Sequence, residues 1–134
     1  MKQLLFIISV ILISFTTSAQ TFITDSNFDV MINKGSAFGN DNNGIVIVEF
    51  WVDFNKDNAF KDFKSIKNVT YYRMDIANST KIKAKYKVRM APTLIVFKDG
   101  VVQHTYKAKL DLLCPVNLKQ IQSLINELTV ESKF

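Results

Sequence analysis

The stretch of sequence that decides the fold spans residues 45–58 and reads Ile45-Val46-Ile47-Val48-Glu49-Phe50-Trp51-Val52-Asp53-Phe54-Asn55-Lys56-Asp57-Asn58. Its first half is apolar except for Glu49, which is typical of a central strand covered on both faces. A second apolar run begins further along the chain, at Ala91-Pro92-Thr93, and ends in Phe97-Lys98-Asp99-Gly100. The first run predicts a central strand, and the second predicts the first strand of a hairpin.

The remaining strands and the helices follow from shorter patterns. Strands are predicted over 69–74, 93–98 and 101–107, and Asp99-Gly100 forms the tight turn between the last two. Helices are predicted after Asp25-Ser26, over about 58–66, after Asn78-Ser79-Thr80 as a cap, and from Pro115 onwards. Helices that alternate with strands predict an α/β fold, a three-layer mixed β-sheet flanked by helices in a single domain.

These landmarks and their spacing resemble the thioredoxin family over about residues 24–128. In that family a Cys-x-x-Cys motif follows the first long apolar strand, and here Asn55, Lys56, Asp57 and Asn58 stand in its place. The resemblance therefore implies a thioredoxin fold without its redox motif. Because the attacking species in disulfide exchange is a thiolate, and a carboxamide cannot attack sulfur, we expect no disulfide oxidoreductase activity from these positions.

The resemblance also implies a cis peptide bond before Pro92 and a groove beside it. In the family, the backbone before this proline is free to pair with an extended segment of another protein. The residues that match this groove are Trp51, Phe54, Ala91, Pro92 and Thr93. They lead to the first hypothesis, a redox-inactive module that binds a protein or peptide partner. The alternatives are a single-cysteine redox protein and a purely structural secreted domain.

Glu49 matches the buried acid that moves protons to and from the cysteines in the family, and Arg73 matches a basic position beside it. A charge inside a sheet is costly unless it is paired, so the two side chains are expected to be buried and to face each other. Without a cysteine to serve, the pair is interpreted as structural.

Cys114 is the only cysteine of the chain and the candidate thiol for the redox alternative. It precedes Pro115 at the predicted start of the last helix, where the helix dipole would stabilise a thiolate. Such a thiol could form an intermolecular disulfide. The competing interpretation is an inert, buried core cysteine, since free cysteines are among the most buried residues.

Metal and cofactor signals are weak. Asp53, Asn55 and Asp57 alternate as in a calcium loop, but the twelfth position of that loop is Lys64 instead of a bidentate glutamate. His104, the only histidine, has no ligand partner at metal-binding spacing. We therefore predict no metal and no cofactor.

The first residues predict export. Lys2, an apolar run from Leu4 to Ile13 and the small-residue ending Thr17-Ser18-Ala19 form the pattern of a signal peptide. The predicted division is a signal peptide over 1–19 and a thioredoxin-like domain over 20–134, located in the periplasm or outside the cell. We expect no membrane span after cleavage, because no other stretch has the roughly 20 apolar residues that a bilayer requires.

The charge is moderately basic, with a formal net value of +5, and export argues against nucleic acid as a partner. Lysines crowd two predicted helices, at Lys61, Lys64 and Lys67 and at Lys81, Lys83, Lys85 and Lys87. Such runs usually form solvated faces, and an acidic partner is the alternative.

Overall fold

Four strands form one mixed sheet within residues 21–33 and 44–131, the parts of the chain that the computed structural model describes. They are β1 (Ile45–Trp51), β2 (Thr70–Asp75), β3 (Thr93–Lys98) and β4 (Val101–Lys107). Their spatial order is β2-β1-β3-β4, with β1 parallel to β2 and both other pairs antiparallel. The predicted signal peptide lies outside the described residues.

A short extended segment around Phe22 pairs with the outer edge of β2 and widens the sheet. Ile23 N donates to Arg73 O at 2.9 Å, and Arg73 N donates to Thr21 O at 2.9 Å, which makes this segment parallel to β2. This segment therefore covers the outer edge of β2 with a single bridge between Phe22 and Arg73.

In the described parts of the chain, three α-helices cover the two faces of the sheet: α1 (Phe28–Asn33), α2 (Thr80–Lys85) and α3 (Leu118–Glu131). Side chains of β1 alternate between two cores, as the two-residue period of a strand requires. Val46, Val48 and Phe50 enter the core beneath α1 and α2, and Ile45 and Ile47 enter the core beneath α3. The protein is thus the predicted three-layer α/β domain. No helix among the described residues is long and apolar enough to span a bilayer.

The hairpin between β3 and β4 confirms the turn predicted at Asp99-Gly100. Both residues have positive φ angles, 51° and 80°, and Lys98 pairs with Val101 across the turn. Asparagine, aspartate and glycine tolerate these angles best, which is why the sequence located the turn correctly.

The helix predicted over 58–66 is wrong. The chain forms two 3₁₀-helices instead, Asp53–Asn58 and Phe63–Ser65, and Ala59 between them is extended with φ −61° and ψ 156°. The cause is long-range, because Phe60 N donates to Glu49 Oε2 at 3.1 Å. That bond holds residue 60 against the sheet and interrupts any continuous helix.

Helix α2 begins where the sequence predicts, but the residue that satisfies its first N–H groups is different. Ser79 makes no capping hydrogen bond. Asp25 accepts from Lys81 N at 3.1 Å and from Ile82 N at 3.0 Å through its two carboxylate oxygens. A negative charge at this end also stabilises the helix dipole, so α1 and α2 are tied together by one aspartate.

The start of the last helix at Pro115 is also wrong. Helix α3 begins at Leu118, and Asn117 caps it, because Asn117 Oδ1 accepts from Gln120 N at 2.9 Å while Gln120 Oε1 accepts from Asn117 N at 3.0 Å. This reciprocal pair is a capping box. Cys114 and Pro115 therefore lie in the loop before the helix.

Candidate functional site

The site that corresponds to the missing redox motif is organised by the side chain of Asn55. Its Nδ2 atom donates to two backbone carbonyls at 2.9 Å each, those of Ala91 and Leu112. Its Oδ1 atom accepts from Asn58 Nδ2 at 2.8 Å. Carbonyl oxygens only accept hydrogen bonds, so this arrangement requires the amide nitrogen to face them. We call this set of hydrogen bonds the asparagine bridge.

The asparagine bridge reaches the turn that contains Pro92, at the centre of the predicted groove. The Ala91–Pro92 peptide bond is cis, and Ala91, Pro92 and Thr93 are buried, with Ala91 only 4% exposed. The hydroxyl of Thr93 donates to Met90 O at 2.7 Å. The Ala91 carbonyl, on the backbone that is predicted to pair with a partner, already accepts one hydrogen bond from Asn55.

The chain after β4 lies against this turn and contains three leucines, Leu110, Leu112 and Leu113, for which the sequence predicts no role. Leu112 reaches Asn55 through its carbonyl, and its backbone has a positive φ of 56°. Leu110 and Leu113 on either side are 89% and 54% exposed, and Phe54, next to Asn55, is 81% exposed. We call Phe54, Leu110 and Leu113 the Phe54 face. These leucines lie in a loop without periodicity, so no sequence pattern identified them.

Glu49 and Arg73 form the predicted ion pair. Arg73 Nη2 lies 2.9 Å from Glu49 Oε1, and Arg73 Nε lies 3.2 Å from the same oxygen. The Tyr71 hydroxyl donates to that oxygen at 2.6 Å, and Phe60 N donates to the other. Glu49 is fully buried, whereas the Arg73 side chain keeps 13% of its surface exposed, so the prediction that both are buried holds for Glu49 only. The carboxylate is satisfied on both oxygens and holds the segment after the asparagine bridge.

Aromatic rings surround the exposed side of this pair. The guanidinium carbon of Arg73 lies 6.0 Å from the ring centre of Trp51 and 5.6 Å from that of Phe63, within the range of cation–π attraction. Trp51 is half-buried, and the ring of Phe22 packs edge-on against it with 5.4 Å between the ring centres. Burial raises the pKa of the Tyr71 phenol well above its ordinary value, and the nearby charge of Glu49 raises it further. Tyr71 is therefore a permanent hydrogen-bond donor to Glu49 at neutral pH.

Cys114 is half-buried and lines a hollow with Asn58, Asp62 and Val116. Its Sγ donates to Val116 O at 3.3 Å. Burial raises the pKa of the thiol above its ordinary value, and the negative charges of Glu49 and Asp62 add to that rise. The helix dipole predicted to stabilise a thiolate is absent here, because α3 starts at Leu118. The position thus favours the neutral, weakly reactive thiol.

The degenerate motif is poorly suited to bind a metal. The Asn55 side-chain oxygen, one of the supposed calcium ligands, accepts from Asn58 instead. Asp53, Lys56 and Asp57 are exposed on the 3₁₀-helix. Across residues 21–33 and 44–131, no group of three or more histidine, cysteine, aspartate or glutamate side chains is placed to hold an ion.

A comparison with protein families identifies the scaffold, because the sequence pattern of the thioredoxin family matches residues 19–114. The chain belongs to the thioredoxin family. No curated protein sequence matches it. Its membership in the thioredoxin family agrees with the sheet, the cis-proline turn and the strand that leads into the degenerate motif.

Solved structures of thioredoxins share the fold at low sequence identity. A thioredoxin from Plasmodium falciparum superposes with a TM-score of 0.53 at 19% identity, covering 81% of this chain and 98% of that one. A mutant thioredoxin from Halobacterium salinarum gives 0.56 at 15% identity, with 81% and 88% covered. A mutant thioredoxin from Entamoeba histolytica gives 0.54 at 14% identity, with 81% and 99% covered. At these identities the likeness establishes the fold.

Proposed function

We propose that this thioredoxin-family protein is an exported binding domain that holds an extended, partly apolar segment of a partner protein and does not exchange disulfides. The observation that carries the proposal is the asparagine bridge. The position of the attacking cysteine is occupied by Asn55, and both N–H groups of its amide are used to bind backbone carbonyls. Asn55 thus links separate segments of the chain at a position where the family has a reactive thiol.

The contact surface proposed for the partner is the Phe54 face. Its three side chains are exposed and apolar, and they lie on the two segments that the asparagine bridge joins. Large apolar side chains left exposed on segments that are held together commonly mark an interaction surface. The partner segment therefore contacts Phe54, Leu110 and Leu113, at the edge of the turn that contains Pro92.

Export is part of the same proposal and rests on the sequence of residues 1–19. Lys2, the apolar run and Thr17-Ser18-Ala19 support cleavage after Ala19. A fusion of residues 1–19 to a reporter that is active only outside the cytoplasm tests this point directly. An inactive reporter would contradict the export proposal.

The redox alternative through Cys114 has no supporting observation in the site. The thiol is half-buried, its pKa is raised, and no second cysteine exists in the chain. The alternative still makes a different prediction in the experiment below, which separates the two functions.

The proposal is tested by capturing partners from the exported fraction with three forms of the mature domain. The first is the natural sequence, the second carries Phe54→Ser/Leu113→Ser, and the third carries Val30→Ser/Val130→Ser as a control at two exposed valines elsewhere. The first and third forms should retain a partner, and the second form should not. Both results should be the same in the presence and absence of reductant. A dithiol-driven disulfide turnover assay on the same samples should stay at background.

Three outcomes would overturn the proposal. The partner could be retained equally by the second and third forms, which would exclude the Phe54 face. It could be lost with reductant or with Cys114→Ser, which would establish an intermolecular disulfide. Disulfide turnover above background that survives Cys114→Ser would also contradict the proposed lack of redox activity.

A further inference from the structure

A second surface of the domain collects four cations around two adjoining cavities, of about 240 Å³ and about 420 Å³. The cavities share Lys87, Val88 and Arg89. Lys83 lines the larger one, and Met90 and Lys107 line the smaller one. We call this surface the basic hollow. It uses none of the residues of the Phe54 face and goes beyond the function proposed above.

The fold, and not the lysine run in the sequence, assembles this surface. Lys83 lies in the last turn of α2 and Lys87 follows the end of that helix, and both line the larger cavity. Lys85 points elsewhere, with its ammonium 3.9 Å from Asp29. Lys107 ends β4 and pairs with Thr93 at the start of β3. Sheet pairing thus brings Lys107 next to the loop that follows α2, which no local pattern predicts.

Among the described residues, none of these four cations takes part in an ion pair. The ion pairs in those residues join Glu49 with Arg73 and Asp29 with Lys85. Cations gathered without acids repel one another and create a positive field over the cavities. Such a concentration does not stabilise the fold, and it complements a ligand of negative charge.

Lys87 supplies a second, independent observation. Lys87 N donates to Ala84 O and Val88 N donates to Lys83 O, at 3.2 Å and 2.9 Å, which is the hydrogen-bond pattern of a Schellman motif at the end of α2. The position with left-handed backbone in this motif is usually glycine, and here Lys87 adopts φ 55°. The chain therefore keeps a lysine side chain where glycine would be conformationally easier.

The shape and lining of the basic hollow indicate the class of ligand. Val88 and Met90 line the cavities beside the cations, and the lining contains no aromatic side chain on which a nucleic-acid base could stack. A concave surface fits a side chain better than it fits the plane of a membrane. We propose that the basic hollow binds an acidic segment of another protein, with carboxylates on the four cations and an apolar side chain in the smaller cavity.

The test measures binding of a fluorescein-labelled, glutamate-rich peptide with one central leucine to the mature domain by fluorescence anisotropy. The control peptide has glutamine in place of every glutamate. Arg89→Glu/Lys107→Glu should weaken binding of the acidic peptide by about tenfold or more, and added salt should weaken it further. The matched control Lys61→Glu/Lys119→Glu changes the net charge equally at exposed positions outside the hollow and should change affinity by less than about twofold.

Lys87→Gly separates binding from folding. This variant should raise the urea midpoint of unfolding, because glycine relieves the left-handed backbone, and at the same time weaken binding of the acidic peptide. Equal binding of the acidic and glutamine peptides, or equal losses in the two charge-reversal variants, would overturn the proposal. So would binding of phosphatidylglycerol vesicles or oligothymidylate through Arg89 and Lys107 when the peptide does not bind.

Discussion

Asn55 Nδ2 donates to the carbonyl oxygen of Ala91 at 2.9 Å and thereby joins the segment after β1 to the residue before Pro92. The same nitrogen reaches Leu112 O, so one side chain holds three distant parts of the chain together. A thiol offers a single weak donor and could not replace this amide. The degenerate motif is thus a structural connection that also fixes the position of Phe54 and Leu113.

The first prediction concerns the asparagine bridge. Asn55→Ala removes both donors and leaves two carbonyls and the Asn58 amide without partners, which should cost about 1–3 kcal/mol in the free energy of unfolding. Lys56→Ala, at an exposed neighbour, is the control and should change it by less than about 0.5 kcal/mol. Urea denaturation measures both.

A second readout distinguishes local loosening from a general loss of stability. The chain around Leu112 should detach in Asn55→Ala, so trypsin should cleave after the exposed Lys109 faster than in the control. Equal cleavage rates together with equal unfolding free energies would show that the bridge contributes nothing.

The second prediction concerns the buried carboxylate of Glu49. Arg73→Leu strands that charge in the core, which should cost about 3–5 kcal/mol. Glu49→Gln/Arg73→Leu should be more stable than Arg73→Leu alone, because the amide keeps an oxygen for the Tyr71 hydroxyl without a charge. Lys85→Leu, which breaks the exposed pair with Asp29, should cost less than about 1 kcal/mol. Equal stability of the Arg73→Leu single and the double variant would refute the account.

The third prediction is a pH dependence that arises from Tyr71. The folded protein holds the pKa of this phenol well above its ordinary value of 10.0, whereas the unfolded chain titrates near that value. Above pH 10, roughly, the unfolded state has lost a proton that the folded state retains, so the free energy of unfolding must fall as pH rises.

Tyr71→Phe isolates this contribution, since Tyr72 and Tyr106 also have raised pKa values and remain in both proteins. The stability advantage of the natural protein over Tyr71→Phe should shrink between pH 8 and pH 11, approximately, in urea denaturation curves. A difference that does not change with pH would show that Tyr71 is not protected from ionisation in the folded protein.

The sequence predicts the sheet of this protein better than its helix boundaries or its site. Strands β1, β3 and β4 have the predicted bounds. Their apolar runs and the Asp99-Gly100 turn between β3 and β4 are local signals, so the sequence alone locates them. The helix over 58–66 failed because the bond from Phe60 N to Glu49 is long-range. The predicted start of α3 at Pro115 is three residues early because the reciprocal hydrogen bonds of Asn117 and Gln120 set the beginning of the helix.

The sequence predicts which residues form the candidate site but not the hydrogen bonds that join them. The pairing of Glu49 with Arg73 is confirmed, whereas the hydrogen bond that joins Asn55 to Asn58 has no counterpart in the sequence prediction. The second carbonyl bound by Asn55 belongs to Leu112, which lies in a loop whose path no local pattern determines. Contacts between such distant segments emerge only from the folded chain.

The last prediction concerns the reactivity of Cys114. Its half-buried position and raised pKa keep the thiolate fraction low, so iodoacetamide should alkylate the native protein at neutral pH more slowly than it alkylates glutathione. In urea the two rates should converge, because unfolding removes both burial and the nearby charges of Glu49 and Asp62. The rate should rise with pH as the thiolate forms. Native labelling as fast as glutathione would contradict the neutral thiol and would favour an intermolecular disulfide at this cysteine.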